Sequence, residues 1–198
     1  MKKMTRQAVF RKLAALYERM ADAYSETSAA IGLSCENCEN NCCTSYFQHH
    51  TYVEWVYLWQ GLNSLPEEKR NEYIARAEEY VRTARALVET GVKPSIMCPL
   101  NDNGLCGVYK HRLMICRMHG VVNSITMPNG KKLSFPGCFK CQELTSDMPQ
   151  VPVLDRTRLY KELVMLEMGL LGSKVKSMPK VDLTLAEMIV LGPPKLNP

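Results

Sequence analysis

Cys35-Glu36-Asn37-Cys38-Glu39-Asn40-Asn41-Cys42-Cys43 sets four thiols within nine residues, and Cys98, Cys106, Cys116, Cys138 and Cys141 follow. No apolar period runs through the stretch, and its asparagines favour turns that expose backbone amides. It reads as a loop that a ligand orders rather than burial, so the fold is decided by what flanks it. Cys35/Cys38 and Cys138/Cys141 have the C-x2-C spacing that lets two sulfurs face one ion or one cluster corner. Cys42 and Cys43 are adjacent, and neighbouring side chains on an extended backbone point apart. One of the two therefore serves a different centre or stays unligated.

Outward from the loop the pattern is helical. Residues 2–30 carry Val9, Leu13, Leu16, Tyr17, Met20 and Tyr24 on one stripe, ending at Gly32. Residues 51–62 continue through Trp55, Trp59 and Leu62, and Ser64-Leu65-Pro66-Glu67 predicts a capping box for a long helix. Tyr73, Ile74, Ala77, Tyr80, Val81, Ala84, Leu87 and Val88 are expected to form that helix's buried face, and Gly91 is its natural stop.

The second cysteine region opens at Cys98-Pro99-Leu100, turns at 101–104, and predicts a short helix over 109–118 that carries Cys116 and ends at Gly120. Residues 121–127 and 131–135 read as a hairpin around Asn129-Gly130, its second strand leading into Cys138 and Cys141. Residues 154–171 predict a helix with Leu159, Leu163, Leu166 and Leu170 on one face. Residues 174–180 read as a solvated linker, and Thr184-Leu185-Ala186-Glu187 offers a second capping box before Pro193 and Pro194. The expected fold is mainly α: a helical single domain over 1–198 with a cysteine-rich metal-binding loop region and a small β-hairpin. Its parts are an N-terminal helix in 1–31, a cysteine-cluster region in 32–145 with a helical insert at 51–91, and C-terminal helices in 150–198.

The chain has 198 residues, nine cysteines and a net charge of +5. No run of 18 apolar residues occurs, so no membrane span is expected. The basic N-terminal residues Lys2, Lys3, Arg6, Arg11 and Lys12 are not followed by the apolar stretch and small-residue site of an export signal before Cys35. Cytoplasmic residence is the resulting expectation, and there clustered thiols stay reduced and act as metal ligands. Lys and Arg are scattered among acidic residues with no aromatic-basic stripe, which argues against nucleic acid. A protein partner is expected but nothing identifies it, and oligomeric state is not legible.

Four thiolates close either a tetrahedral zinc site or a 4Fe-4S cluster, and spacing does not separate the two. Two features favour iron-sulfur: the density of the first motif, similar to bacterial ferredoxin loops, and the Cys98-Pro99 step. The candidate ligands are Cys35, Cys38, Cys42, Cys43, Cys98, Cys106, Cys116, Cys138 and Cys141. Eight of these would suffice for two four-thiolate centres. A structural zinc module for protein interaction is the alternative. No Gly-rich nucleotide loop follows a strand, and no catalytic motif stands beside the cysteines.

The first motif, with Cys98, Pro99, Leu100, Gly104, Cys106, Tyr109, Arg112, Cys116 and Arg117, resembles the CxxCxxCC zinc- or iron-chelating domain family, the YkgJ-type cysteine-cluster proteins. The resemblance covers residues 35–141. It implies a metal- or iron-sulfur-binding protein; a related cluster occurs in flagellin lysine N-methylases, which makes a cysteine-cluster enzyme a further alternative. Two departures stand out. Three residues rather than two precede the paired cysteines, and Leu113 occupies a position where the family often has proline.

Several neighbours of the cysteines have competing readings. His49 and His50 could add imidazole ligands but read more simply as surface residues, and His111 and His119 flank Cys116. Arg112 and Arg117 could offset thiolate charge or serve as ordinary ion-pair and helix-end charges. Met165 and Met168 read as core, and Trp55 and Trp59 as cover for the metal loop or the core.

Overall fold

The periodic stretches fold as helices and the structure is mainly helical. The computed structural model describes residues 3–35 and 42–196. In chain order its elements are α1 (Arg6–Ala30), α2 (Tyr52–Asn63), α3 (Glu67–Glu89), β1 (Asn101–Asp102), β2 (Leu105–Cys106), α4 (Met114–Met118), β3 (Asn123–Thr126), β4 (Lys132–Phe135), α5 (Phe139–Thr145), β5 (Leu154–Asp155), α6 (Thr157–Leu171) and α7 (Leu185–Val190). Short 3-10 turns occupy Cys42–Thr44, Tyr109–His111 and Gly172–Lys176. Among the described residues no helix is long and apolar enough to cross a membrane.

The chain divides into two compact units. The first comprises Cys43–Leu113 and Leu171–Pro198, the second Lys2–Cys42 and Met114–Leu170. In the first, α7 packs on α3, and α2 packs on the Tyr109–His111 turn. Trp55 and Trp59, one helical turn apart on α2, both donate their indole N–H to the Met188 carbonyl at 2.9 Å. That carbonyl lies in the last turn of α7, where Gly192 N–H, its natural helical partner, donates to Ile189 O instead. The two tryptophans thus belong to the core and secure α7. Thr184 caps α7 with the full reciprocal box to Glu187 that the sequence predicts.

In the second unit α1 packs on α4 and touches β5. Its core stripe is Val9, Leu13, Leu16, Tyr17 and Met20, five of the six residues expected from the periodicity; the sixth, Tyr24, is half-buried. Thr5 caps its start, accepting from Ala8 N–H, and Gly32 stops the chain at φ +66°. The β3–β4 hairpin runs from Asn123↔Phe135 to Thr126↔Lys132, with Gly130 at φ +80° in the Asn-Gly turn.

Four local expectations give way. Ser64 does not cap α3: it sits directly after α2, and its hydroxyl donates to Gly61 O at 2.7 Å, closing the preceding helix. Pro66 holds the N-cap position without a side-chain bond, and Glu67 and Glu68 in the first turn complement the helix dipole instead. The helix expected over 109–118 is broken at Arg112, which is extended at ψ 132°, and the following Leu113 is fully buried. Residues 154–155 are not helical but add β5 to β3 in parallel, Asn123↔Leu154, so α6 starts at Thr157. On α6, Leu163, Leu166 and Leu170 are buried, but Met165 is half-exposed, as is Val88 in the last turn of α3.

Candidate metal centre

In the first unit the cysteines lie on one small hairpin and the turn beside it. Asn101↔Cys106 and Asp102↔Leu105 pair as β1 and β2 around Asn103 at φ 51° and Gly104 at φ 90°. Two consecutive left-handed residues define the tight turn that Asn-Gly favours. Asn101 N–H donates to Cys98 O at 3.0 Å and Gly107 N–H to Leu100 O at 2.8 Å, so Cys98 and Cys106 sit on the two arms of one knuckle. Cys98 N–H donates to Cys43 O at 2.9 Å, joining the Cys43 segment to the knuckle.

The knuckle is held to α3 by polar contacts. Asp102 accepts from the Tyr73 hydroxyl, from Arg76 at 2.8 Å, and pairs with Lys69 at 3.0 Å. Arg76 also donates to Asn101 O at 3.2 Å. The Tyr73 hydrogen bond, followed by those of Arg76 and Lys69, pulls the Asp102 carboxyl down to about 2. Burial, with the carboxylate beside it, pushes the Tyr73 phenol up to about 12. Gly107, next to Cys106, makes room for this: a Cβ there would fall 1.7 Å from the Tyr73 hydroxyl oxygen. An open cleft of about 860 Å³ runs between this hairpin and α3, lined by Tyr80, Thr83, Met97, Cys98 and Asn101 among others.

In the second unit the thiol-bearing segments meet the backbone at Gly120. Cys138, the N-cap of α5, donates its N–H to Gly120 O at 3.1 Å. A Cβ on Gly137 would lie 3.0 Å from the same oxygen and 2.8 Å from Cys141 Sγ, and Gly137 itself is at φ +82°. The Tyr24 hydroxyl approaches Gly120 so closely that a Cβ there would fall 2.0 Å from it. The same hydroxyl stands 3.7 Å from Cys35 Sγ. Lys140 donates to Ser34 O at 2.8 Å, tying α5 to the segment that carries Cys35. Cys141 is fully buried; burial pushes its thiol up, against a hydrogen bond from the Val122 backbone. Cys116 rides on α4.

The first motif is therefore divided between the units, with Cys35 in one and Cys43 in the other. Cys38 and the Cys42 side chain lie outside the described residues. None of the seven described cysteines is in a disulfide, and among the described residues no three His, Cys, Asp or Glu side chains close on one point as metal ligands.

Two observations bear on whether a metal or cluster fits here. Asn101 Oδ1 accepts from Gly104 N–H at 2.9 Å, which fixes its amide, and its buried Nδ2 has no acceptor among the described residues. An orphaned amide donor between Cys98 and Cys106 suits a sulfur that carries negative charge. The absent side chain at Gly137 gives the buried Cys141 sulfur its space. The thiols present are the soft donor set that zinc and iron-sulfur clusters take, and on these grounds the residues fit.

The nearby imidazoles and guanidiniums take other places. His49, expected at the surface, is 1% exposed, and its backbone pairs with Leu183 at 2.7 and 3.2 Å. Burial pushes its imidazole down to about 3, and its Nδ1 has no partner among the described residues. His50 is exposed beside Asp182 at 3.4 Å. His111 packs on Gly61 and on the Tyr57 ring at 4.5 Å. Arg117 lies over the Tyr17 ring at 4.2 Å and Arg112 over Tyr109 at 5.5 Å.

The residues that shape these loops, Tyr73, Asp102, Gly107, Tyr24 and Gly120, were not singled out for that part from the sequence. The one usable signal is a glycine directly after Cys106. Comparison with protein-family models, curated proteins and solved structures finds no match.

Proposed function

We infer that this chain is a metal-binding protein whose clustered cysteines hold an iron-sulfur cluster, or two four-thiolate centres, for electron transfer or redox sensing. The observation that carries the reading is the grouping of thiols within each unit. Cys43, Cys98 and Cys106 belong to one hydrogen-bonded knuckle in the first. In the second, Cys138 N–H bonds the Gly120 carbonyl, Cys141 Sγ and that carbonyl border the space left at Gly137, and the Tyr24 hydroxyl beside Gly120 stands near Cys35 Sγ, with Cys116 on α4, which packs on α1. Cys38 and Cys42 complete the candidate set. A 4Fe-4S cluster, when bound, supplies a one-electron couple whose potential follows hydrogen bonding to its sulfurs and its exposure to solvent. The chain's own part is to present the sulfurs and to keep donors near them, the Tyr24 hydroxyl at 3.7 Å from Cys35 Sγ and Asn101 Nδ2, unpartnered among the described residues, on the knuckle. Reduced thiols persist best in a reducing compartment, and this reading therefore goes with residence in the cytoplasm.

The test is iron, zinc and acid-labile sulfide content, with the visible spectrum, on protein purified without oxygen. Iron with equivalent sulfide and a brown charge-transfer spectrum supports the reading. Zinc without sulfide replaces it with a structural zinc module in which the metal only holds the loops.

A further inference from the structure

The hairpin that carries Cys106 is fixed to α3 by more bonds than its two paired positions would justify. Tyr73, at the centre of the α3 core face and 1% exposed, sends its hydroxyl out of that core between the two arms of the knuckle. On one arm it donates to Asp102 of β1; on the other it occupies the space that Gly107, after β2, leaves by lacking a Cβ. Lys69 and Arg76, one turn to either side of Tyr73 on α3, close on the same carboxylate, and Arg76 reaches the Asn101 carbonyl as well. Their ammonium and guanidinium lie 4.6 and 5.6 Å from the centre of the Tyr73 ring.

A two-residue ladder closed by one turn is marginal in water. With this anchorage, both arms are referred to one rigid side chain with two rotatable bonds, so the spacing of Cys98 and Cys106 is set before any ion arrives. We propose that Tyr73 and Asp102 are positioning residues: they latch β1 and β2 to α3 in the arrangement in which Cys98 and Cys106 take a metal ion. The proposal rests on the reading of those two cysteines as ligands. Neither residue touches the ion; they act through the backbone of the arms. Outer groups of this kind are worth 10- to 100-fold in metal affinity elsewhere, and an effect of about that size is expected here.

The experiment uses the full chain, reduced and metal-free, titrated anaerobically with Co²⁺ against a competing chelator. The binding step attributable to this hairpin is the one lost in the Cys98→Ser/Cys106→Ser variant. Tyr73→Phe removes only the hydroxyl, Asp102→Asn keeps the shape and removes the charge, and Gly107→Ala displaces the hydroxyl from the opposite arm. In all three the dissociation constant of that step rises about 10- to 100-fold. The charge-transfer intensity per bound Co²⁺ is unchanged, because the same sulfurs still ligate. Amide spectra of the metal-free variants identify any that fails to fold, and Tyr73→Phe, the mildest, decides the matter. A lowered unfolding midpoint with an unchanged dissociation constant overturns the latch and leaves a structural tyrosine. If the Cys98→Ser/Cys106→Ser variant binds Co²⁺ as the native chain does, the ligand reading of this hairpin fails first, and the latch falls with it.

Discussion

Each unit brings a tyrosine hydroxyl from a long helix against a glycine beside a cysteine loop, but the two hydroxyls are used differently. In the first unit Tyr73 donates its hydroxyl hydrogen bond to a carboxylate flanked by two cations, and the thiol-bearing arms are held by charge. In the second, Tyr24 stands 3.7 Å from the Cys35 sulfur itself, and the loop is held by close backbone approach and burial around Gly120, Gly137 and Cys141. The difference teaches what each region should be sensitive to. The second should fail when an atom is added, whereas polar partners, including a buried imidazole on the segment leading to α2, make the first answer to protons.

The largest effect is expected where an added atom meets backbone. Gly137→Ala imposes a side chain at φ +82° and sets its Cβ 2.9 Å from the Val121 carbonyl carbon, which cannot swing aside. The left-handed conformation and the overpacking together cost roughly 3 kcal/mol. Gly32→Ala is the control in the same unit: φ is +66°, but nothing lies within 4 Å. It should lose only about 1 kcal/mol. Denaturant unfolding of both compares them, and equal losses would show that conformation alone matters and that the Gly137 cradle is not tight.

A proton sharpens the other side. Burial holds the His49 imidazole at about 3 in the folded chain against its ordinary 6.5, so the unfolded chain takes the proton first. The stability from keeping it neutral is complete above pH 6.5 and drains away as pH falls toward 3, reaching a loss of about 2 kcal/mol by pH 5. Asp102, at about 2 against 3.8, contributes stability that is present above 3.8 and lost only below it. Between pH 6.5 and pH 4 the imidazole therefore dominates these two. His49→Leu should flatten unfolding free energy across that window; a variant with the native slope removes His49 from the account.

How much of this was legible follows from the range of each interaction. The stripe of α1 and the Asn129-Gly130 hairpin are local patterns, and they stand where the sequence puts them. Cys138 and Cys141 fall on the start of α5, one turn apart, as C-x2-C spacing allows. Asp102 and Gly107 lie 29 and 34 residues beyond Tyr73, and no period connects them. The pairing of β5 with β3 joins residues 31 apart in two rungs, too short a strand for alternation to show. Burial of His49 depends on Leu183, and nothing around His49 signals it. The sharing of Cys35 and Cys43 between two units was likewise out of reach.

A smaller effect examines the scaffold of the first unit. Trp55→Phe or Trp59→Phe removes one of two donors to Met188 O and should cost about 1 kcal/mol each, since the carbonyl keeps the other. Replacing both strands a carbonyl of the last α7 turn, so the double variant should lose about 1 kcal/mol more than the sum. Strict additivity in a double-mutant cycle would mean that water or another donor already serves that oxygen.

The smallest effects separate two sequences that look alike. Thr184-x-x-Glu187 and Ser64-x-x-Glu67 both spell a capping box, yet only the first is made: Thr184 Oγ1 accepts from Glu187 N–H at 3.2 Å and Glu187 returns to Thr184 N–H at 2.9 Å. Thr184→Ala should therefore cost about 1 kcal/mol, the usual value of a lost N-cap. Ser64 has spent its hydroxyl on Gly61 O, an oxygen that also receives the Ser64 backbone N–H at 3.2 Å. Ser64→Ala then leaves that carbonyl satisfied and α3 without any cap to lose, and should stay within about 0.5 kcal/mol of the native chain. Equal losses for the two alanines would mean that Ser64 caps α3 in solution. The start of α3 would then shift toward Leu65, and with it the reference from which Tyr73 reaches the Cys98–Cys106 arms.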